Sequence, residues 1–421
     1  MIDKLIRILE KMNVDWEIYF SKSQVTSVKF RKIKEIEIER STHKIVGGVG
    51  VRVIVDGYIG FSYLSGFSWS EEKLENLVKS AYKIAKLSKN YHPGFPVPKA
   101  YPTVKGLYDK DIERLALENL ISWGHDLLDI PQSGEASIGS EVREREIVNS
   151  NGINVRDRST EFAMHLYLYS KGKGTGSHFG IYRTLPNVER EIINIKENAT
   201  WEFELSRNAK KIHGFSGEII IEPKALASIF SIFLPNVLAK NVYLGKSRFS
   251  KVGEVVSSEN FTLIDDPTLE GGTNSYPFDG EGNPGRRKLI VKNGILTSFL
   301  ADEKYGRLLH IEGGNASRSY NSTPEISTSN IIILPGDSAL EEGVFIRAVY
   351  GEHTANSITG EFSLNIELGY KVQRGEAIPF KGNMIVGNVF EMLRNITEIG
   401  KDVERIGAFI APKVVTYSKI I

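Results

Sequence analysis

Two hydrophobic periods alternate along the first ninety residues of this chain. Ile2, Leu5, Ile6 and Leu9 recur at helical spacing, after which VTSVKF, IEIE and VGVRVIVDGYIGF alternate apolar and polar positions with period two. This pattern predicts a helix followed by a strand meander. Val49, Val51, Val53 and Val55 share one strand face, and Asp56-Gly57 supplies a two-residue hairpin turn before Tyr58 to Tyr63. Ser68 and Glu71 read as a capping-box pair ahead of Leu74, Leu77, Val78, Ala81, Ile84 and Ala85, which repeat at three and four residues. That helix has to lay its apolar stripe on the sheet.

The prolines of HPGFPVPKAYP rule out helix or central strand and place a connector at residues 90–107. A second helix is expected from Lys110 to Asp129, stopped by Pro131. Beyond it, Asn151-Gly152 marks a turn. Phe162, Met164, Leu166 and Leu168 then alternate with Ala163, His165, Tyr167 and Tyr169, which puts His165 opposite the aliphatic stripe. From Gly217, EIIIEP leads into KALASIFSIFLPNVLAKNVYLG, a buried helix kinked at Pro235. KLIVKNGILTSFL carries a hairpin turn at Asn293-Gly294, and NIIILPGD and FSLNIELGYKVQRGEAIP add strands. The expected class is α+β, with an N-terminal α/β region built on a mixed or antiparallel sheet with packed helices. A β-rich C-terminal domain, a large antiparallel sheet or barrel, follows. Three units are expected, at 1–90, 107–212 and 213–421, with no fixed-period repeat.

Composition narrows the chemistry. With 421 residues, 41% of them hydrophobic and 25% charged, the chain can bury a large core. Its 53 Lys plus Arg against 52 Asp plus Glu argue against a nucleic-acid binder, which needs a basic surface. No uninterrupted apolar signal or membrane span is present, so a cytoplasmic location is expected. The absence of cysteine excludes disulfides and thiolate zinc sites.

Several motifs fail on context. GEGNPG, Gly280 to Gly285, matches GxGxxG but contains a proline and leads into a strand, so it reads as a loop. GKGTGSH, Gly172 to His178, lacks the spacing of a phosphate loop and reads as a flexible hairpin or lid. Asp265-Asp266-Pro267 reads as a turn rather than a cation site. No two of the eight histidines stand three to five residues apart, which excludes HExxH, and GxSxG is absent. GEHTANSITGEFS, Gly351 to Ser363, sets Glu352 beside His353 without further ligands.

Read onward to GAFIAPKV, that last stretch resembles the C-terminal signature of the TldD/PmbA family. AKLSK, VGVRVIVDGYIGFSYLS, NSNG, DDPTLEGGTNSYPFDGEGNPGRRKLIVKNGILTSFLADEKYGRLL, GGNASR and NIIILPGD are similar to family segments, so the resemblance spans nearly the whole chain. It implies a structural and groove-lining role for ITGEFS. In this family TldD-type chains carry a His-Glu-x-x-x-His zinc motif on a helix, completed by a cysteine, whereas PmbA-type chains, also called TldE, lack it. The corresponding helix here, Lys224 to Tyr243, holds no His, Asp or Glu. The chain therefore resembles the PmbA/TldE type.

That resemblance implies a heteromeric metallopeptidase. A TldD-type partner brings the zinc, and this subunit, with no catalytic residue, metal or cofactor of its own, shapes the chamber that receives an unfolded or small peptide. Asn315, Arg318, Tyr320 and His353 are the candidates for contacting peptide or partner. A homodimer of this chain is the alternative assembly. Two other readings stay open: a stand-alone hydrolase with a different constellation, and a protein- or nucleic-acid-binding modulator.

Overall fold

The computed structural model describes residues 2–170, 172 and 174–421. Helix α1 (Ile2–Glu10) precedes a meander of β1 (Asp15–Lys32), β2 (Ile36–Val55) and β3 (Tyr58–Ser65), and α2 (Glu71–Leu87) closes it. Asp56 and Gly57 take φ of 53° and 82°, the left-handed pair that the hairpin turn requires. Ser70, not Ser68, caps α2 by accepting from Lys73 N at 3.3 Å, because the helix begins two residues later than the capping-box spacing suggests. The helix expected over Lys110–Asp129 divides into α3 (Lys110–Glu113) and α4 (Leu117–Leu128). Asn119 Oδ1 accepts from Ala116 N at 3.1 Å and starts the second piece afresh.

A second meander follows, formed by β4 (Ser133–Asn149), β5 (Asn154–Ser170) and β6 (Gly174–Tyr182), and α5 (Val188–Asn208) closes it. Of the Gly172–His178 stretch, Gly174–His178 open β6, while Lys173 lies outside the described residues. The two meanders join edge to edge into one antiparallel six-stranded sheet, ordered β3-β2-β1-β4-β5-β6. The unit helix, three strands, helix thus occurs twice about the β1–β4 seam. The sequence hides this duplication because only the hydrophobic pattern repeats. α5 goes unread in the sequence because its buried stripe of Val188, Ile192, Ile195, Ala199 and Phe203 also contains Glu202 and Ser206.

All the helices of this region cover one sheet face. Ile18, Val49, Val51 and Val53 pack on α1 and α2, and Phe30, Ile138, Phe162, Met164 and Leu166 pack on α4 and α5. The opposite face stays open along much of its length.

The rest of the chain folds on itself. β7 (Phe215–Ile221) leads into α6 (Pro223–Phe233), a 3₁₀ turn (Leu234–Val237) and α7 (Ala239–Tyr243), so Pro235 breaks the expected helix rather than kinking it. Then come β8 (Leu263–Asp265), β9 (Lys288–Lys292), β10 (Ile295–Leu296), α8 (Glu303–Leu309), β11 (Ala316–Ser317), β12 (Glu325–Ile326) and β13 (Ile331–Ile333). Last are β14 (Gly343–Tyr350), β15 (Glu361–Gln373), β16 (Glu376–Phe380), β17 (Met384–Asn388), α9 (Val389–Arg394), β18 (Glu398–Ile406) and β19 (Phe409–Ile420). β7 pairs with both β14 and β19, which closes the ring β7-β14-β15-β17-β19 into a barrel, and β13, β8, β9 and β10 extend it. α6 contributes Leu226, Ile229, Phe230 and Phe233 to the largest core.

Each meander meets its closing helix through a glycine. A Cβ added at Gly60 would stand 2.0 Å from Ala81 O and 2.3 Å from Ala85 N, and one at Gly176 would stand 2.2 Å from Ala199 O and 2.4 Å from Phe203 N. Backbone cannot yield as a side chain can. Gly60→Ala and Gly176→Ala should each lower stability by about 1–3 kcal/mol in equilibrium denaturation. A loss below about 0.5 kcal/mol would show that these helices do not bear on the glycines.

Candidate functional site

Four charges from distant parts of the chain meet where the open sheet face touches the C-terminal domain. Arg52 on β2 donates through Nε and Nη2 to the two oxygens of Glu17 on β1, at 2.9 and 2.8 Å. Its Nη2 also reaches Glu281 Oε1 at 2.9 Å. Arg318 donates to Glu17 Oε1 and, through Nε, to Gly280 O at 2.7 Å, with its guanidinium 4.3 Å above the Tyr19 ring. These side chains are 0–3% exposed. Two carboxylates balance two guanidinium groups, which is the condition for burying such charges without a large penalty. Glu281 Oε2 accepts from Glu303 N at 2.8 Å, which ties the start of α8 to the cluster. GEGNPG is thus a loop, as its context indicated, and its glutamate is buried.

Above this cluster lies a groove of about 420 Å³. Its floor is the open face of β1 and β4, with Ser21, Ser23, Glu141 and Arg143, joined by Asp157 and Ser159 of β5. Its wall is formed by Asn274 to Tyr276, Asn315 to Tyr320, Ser327 and Thr328 of the C-terminal domain. Arg145 locks floor to wall: it holds Asp157 at 2.8 and 2.7 Å, donates to Phe278 O at 2.6 Å and stacks 4.6 Å from the Phe278 ring.

Three of the four candidate residues gather at this groove. Tyr320 lies flat on β2, where a Cβ at Gly48 would stand 2.5 Å from its ring and one at Gly50 2.4 Å from its carbonyl oxygen. Its hydroxyl meets Ser65 Oγ at 3.2 Å. Asn315 is buried, donating to Asp265 Oδ2 at 2.8 Å and accepting from Lys288 Nζ. The Arg318 guanidinium turns inward to Glu17. His353 stands apart, exposed on the 3₁₀ turn Glu352–Thr354 after β14, and neither it nor Ile358 to Ser363 lines the groove. Of ITGEFS, Gly360 and Phe362 are buried and the other four residues are exposed, away from this groove.

The floor leaves little trace in the sequence. Ser21, Ser23, Glu141, Arg143 and Asp157 look like ordinary solvent-facing strand positions, and only the glycines of VGGVG hinted that another segment lies against β2.

The segment from Lys224 to Tyr243, expected to correspond to the family's zinc helix, holds no His, Asp, Glu or Cys. Lys224 Nζ is committed to Glu202, at 2.7 Å from Oε2, and to Ser177 O. Asn236 is held between Ser357 O and Arg248 N, both at 2.7 Å. Among the described residues no three His, Asp or Glu side chains come together to hold a metal ion. This donor set does not fit zinc. Only Asp266 behaves as the turn reading anticipates, accepting from Thr268 N at 2.8 Å, whereas Asp265 ends β8 and accepts from the distant Ser329 N at 2.6 Å.

Burial, then the neighbouring Glu281, pushes the carboxyls of Asp279 and Asp302 up to about 7. The folded protein therefore keeps the Asp302 proton between about pH 4 and about pH 7, where the unfolded chain has released it. That contribution to stability is complete below the window and lost as pH rises through 7. Asp302→Asn retains an acceptor for Tyr305 N, which Asp302 caps at 2.8 Å, and removes the ionisation. Its melting temperature relative to wild type should climb by roughly 2 °C or more from about pH 5 to about pH 8. A difference that stays flat would mean that Asp302 is ionised throughout.

Known proteins share this architecture. Models of the PmbA/TldA metallopeptidases match in three consecutive parts, domain 1 over residues 16–85, the central domain over 108–209 and the C-terminal domain over 216–419. An uncharacterized protein of Methanocaldococcus jannaschii is 34% identical, over 100% of this chain and 99% of its own. A protein of the same archaeon named as a metalloprotease is 27% identical, over 96% of this chain and 93% of its own. The crystal structure of TldE from Thermococcus kodakarensis superposes with a TM-score of 0.86 at 22% identity, covering 100% of this chain and 99% of that one, so the fold is shared. With all three domains matched in order, the chain belongs to the PmbA/TldD metallopeptidase family.

Proposed function

We propose that this chain is a PmbA/TldE-like subunit that shapes the peptide-binding chamber of a two-subunit metallopeptidase, with a TldD-type partner carrying the zinc. The observation behind this reading is the pairing of an open polar groove with a zinc-helix segment that has no metal donors. Methanocaldococcus jannaschii holds two full-length relatives of this chain, one of them named as a metalloprotease, which is what a two-subunit system requires.

The groove suits an unfolded or small peptide. Its floor is strand surface with short polar side chains, and its volume falls within the range of about 300–1,000 Å³ typical of small-ligand sites. A peptide in extended form presents main-chain groups at strand spacing, so hydroxyl and amide partners along the floor and wall can hold it with little regard to sequence. In this reading Asn315 and Arg318 position the wall through Lys288, Asp265 and Glu17, while Tyr320 closes it against β2. His353, exposed on its turn, is assigned to the partner-facing surface. The partner's zinc would supply carbonyl polarisation and water activation. The complex acts in the cytoplasm, and a homodimer of this chain alone is an inactive assembly.

Titrating this chain into a TldD-type subunit while following cleavage of an unstructured peptide tests the reading. Activity should saturate at a fixed subunit ratio, exceed the sum of the separate chains, and vanish when the partner's zinc ligands are replaced. Cleavage by this chain alone would replace the reading with a stand-alone hydrolase.

A further inference from the structure

Four arginines line the groove, and three of them have a carboxylate. Arg143 meets Glu141 at 2.5 Å, Arg145 holds Asp157, and Arg318 holds Glu17. Arg183, just past the end of β6, is only 6% exposed, and among the described residues no carboxylate stands within 4.0 Å of it. Its Nη1 donates to Thr160 O at 3.2 Å and its Nη2 to Thr273 O, while its Nε has no partner. A guanidinium this deeply buried ordinarily has a counter-ion, because main-chain carbonyls accept its hydrogen bonds without neutralising its charge.

We propose that Arg183 anchors a carboxylate of the bound peptide, either its C-terminal α-carboxylate or an acidic side chain. This rests on the reading that the groove receives peptide. A carboxylate accepts well from a guanidinium and would place beside Arg183 the close negative charge that it lacks within 4.0 Å. A dianionic phosphate fits less well, because Glu141 and Asp157 stand on the same floor. Burial pulls the Arg183 guanidinium down to about 10, with Glu161 opposing and Arg143 and Arg145 adding to the shift, so the charge persists at neutral pH. Arg183 also serves the fold. Arg405 Nη2 donates to Thr273 Oγ1 at 2.9 Å and to Gly271 O at 3.0 Å, so two arginines grip the loop at Thr273. A purely structural clamp would give the groove no preference for acidic ligands, and this separates the two roles.

The test varies the ligand first, which leaves the fold untouched. Dye-labelled unstructured peptides are titrated with the full chain by fluorescence anisotropy in two arms: free C-terminal acid against C-terminal amide, and, in amidated peptides, one internal Glu against Gln. At least one arm should show about tenfold tighter binding of the acid, and that arm identifies the source of the carboxylate. The preference should fall below about threefold in Arg183→Gln, which can still donate to a carbonyl, or in the uncharged Arg183→Met if the glutamine variant does not fold. Acidic and neutral peptides bound alike in both arms would overturn the anchor and leave the peptide groove standing. So would a preference that survives undiminished in a variant melting like wild type. Failure of every peptide to bind would overturn both.

Discussion

The buried pairing of Glu17 and Arg52 with Glu281 and Arg318 is the constraint on which the architecture of the site depends. Two of these charges stand on the sheet and two on loops of the C-terminal domain. Removed from water, none is tolerable alone, so the loops must dock in the one register that satisfies all four. Such a cluster adds little net stability compared with an apolar contact, but a wrong register leaves a bare buried charge. It therefore specifies position. The groove exists because that docking holds the loop from Asn315 to Tyr320 over β2 while the floor beyond Ser21 stays open.

The sheet makes this possible through its two unlike faces. Doubling the helix–meander–helix unit puts every helix of the region on one side, which buries Ile18, Val51, Phe30 and Met164. The other side then carries serines, arginines and glutamates on a surface wide enough for a second domain at one end and a ligand beside it. Gly48 and Gly50 set the approach distance, since a β-carbon at either would collide with Tyr320.

Much of the fold was legible in the sequence, because period-two and period-three-to-four patterns reflect burial directly. The turns at Asp56-Gly57 and Asn293-Gly294, the stripe on β5 and the barrel class all follow from local chemistry. The helix from Val188 was not legible, because Glu202 sits in its buried stripe as the partner of Lys224 and Arg347. The duplication was hidden for a related reason: geometry recurs where residues do not. At the site, Asn315, Arg318 and Tyr320 were expected to contact peptide or partner, whereas the inward turn of Arg318 depends on Glu17, 301 positions away. No spacing rule could give that pairing. Arg183 was equally silent, since what marks it is a missing partner in space.

The proposed function requires that peptide bind in the groove between sheet and C-terminal domain. Photo-crosslinking is the most direct measurement: an unstructured peptide with a photoreactive side chain is irradiated with the chain, and the adducts are located by mass spectrometry. Adducts should concentrate on Ser21 to Ser23 and Arg143 of the floor and on Asn274 and Ser317 to Tyr320 of the wall. Adducts confined to the α6–α7 surface or around His353, with the floor and wall untouched, would contradict the proposed function.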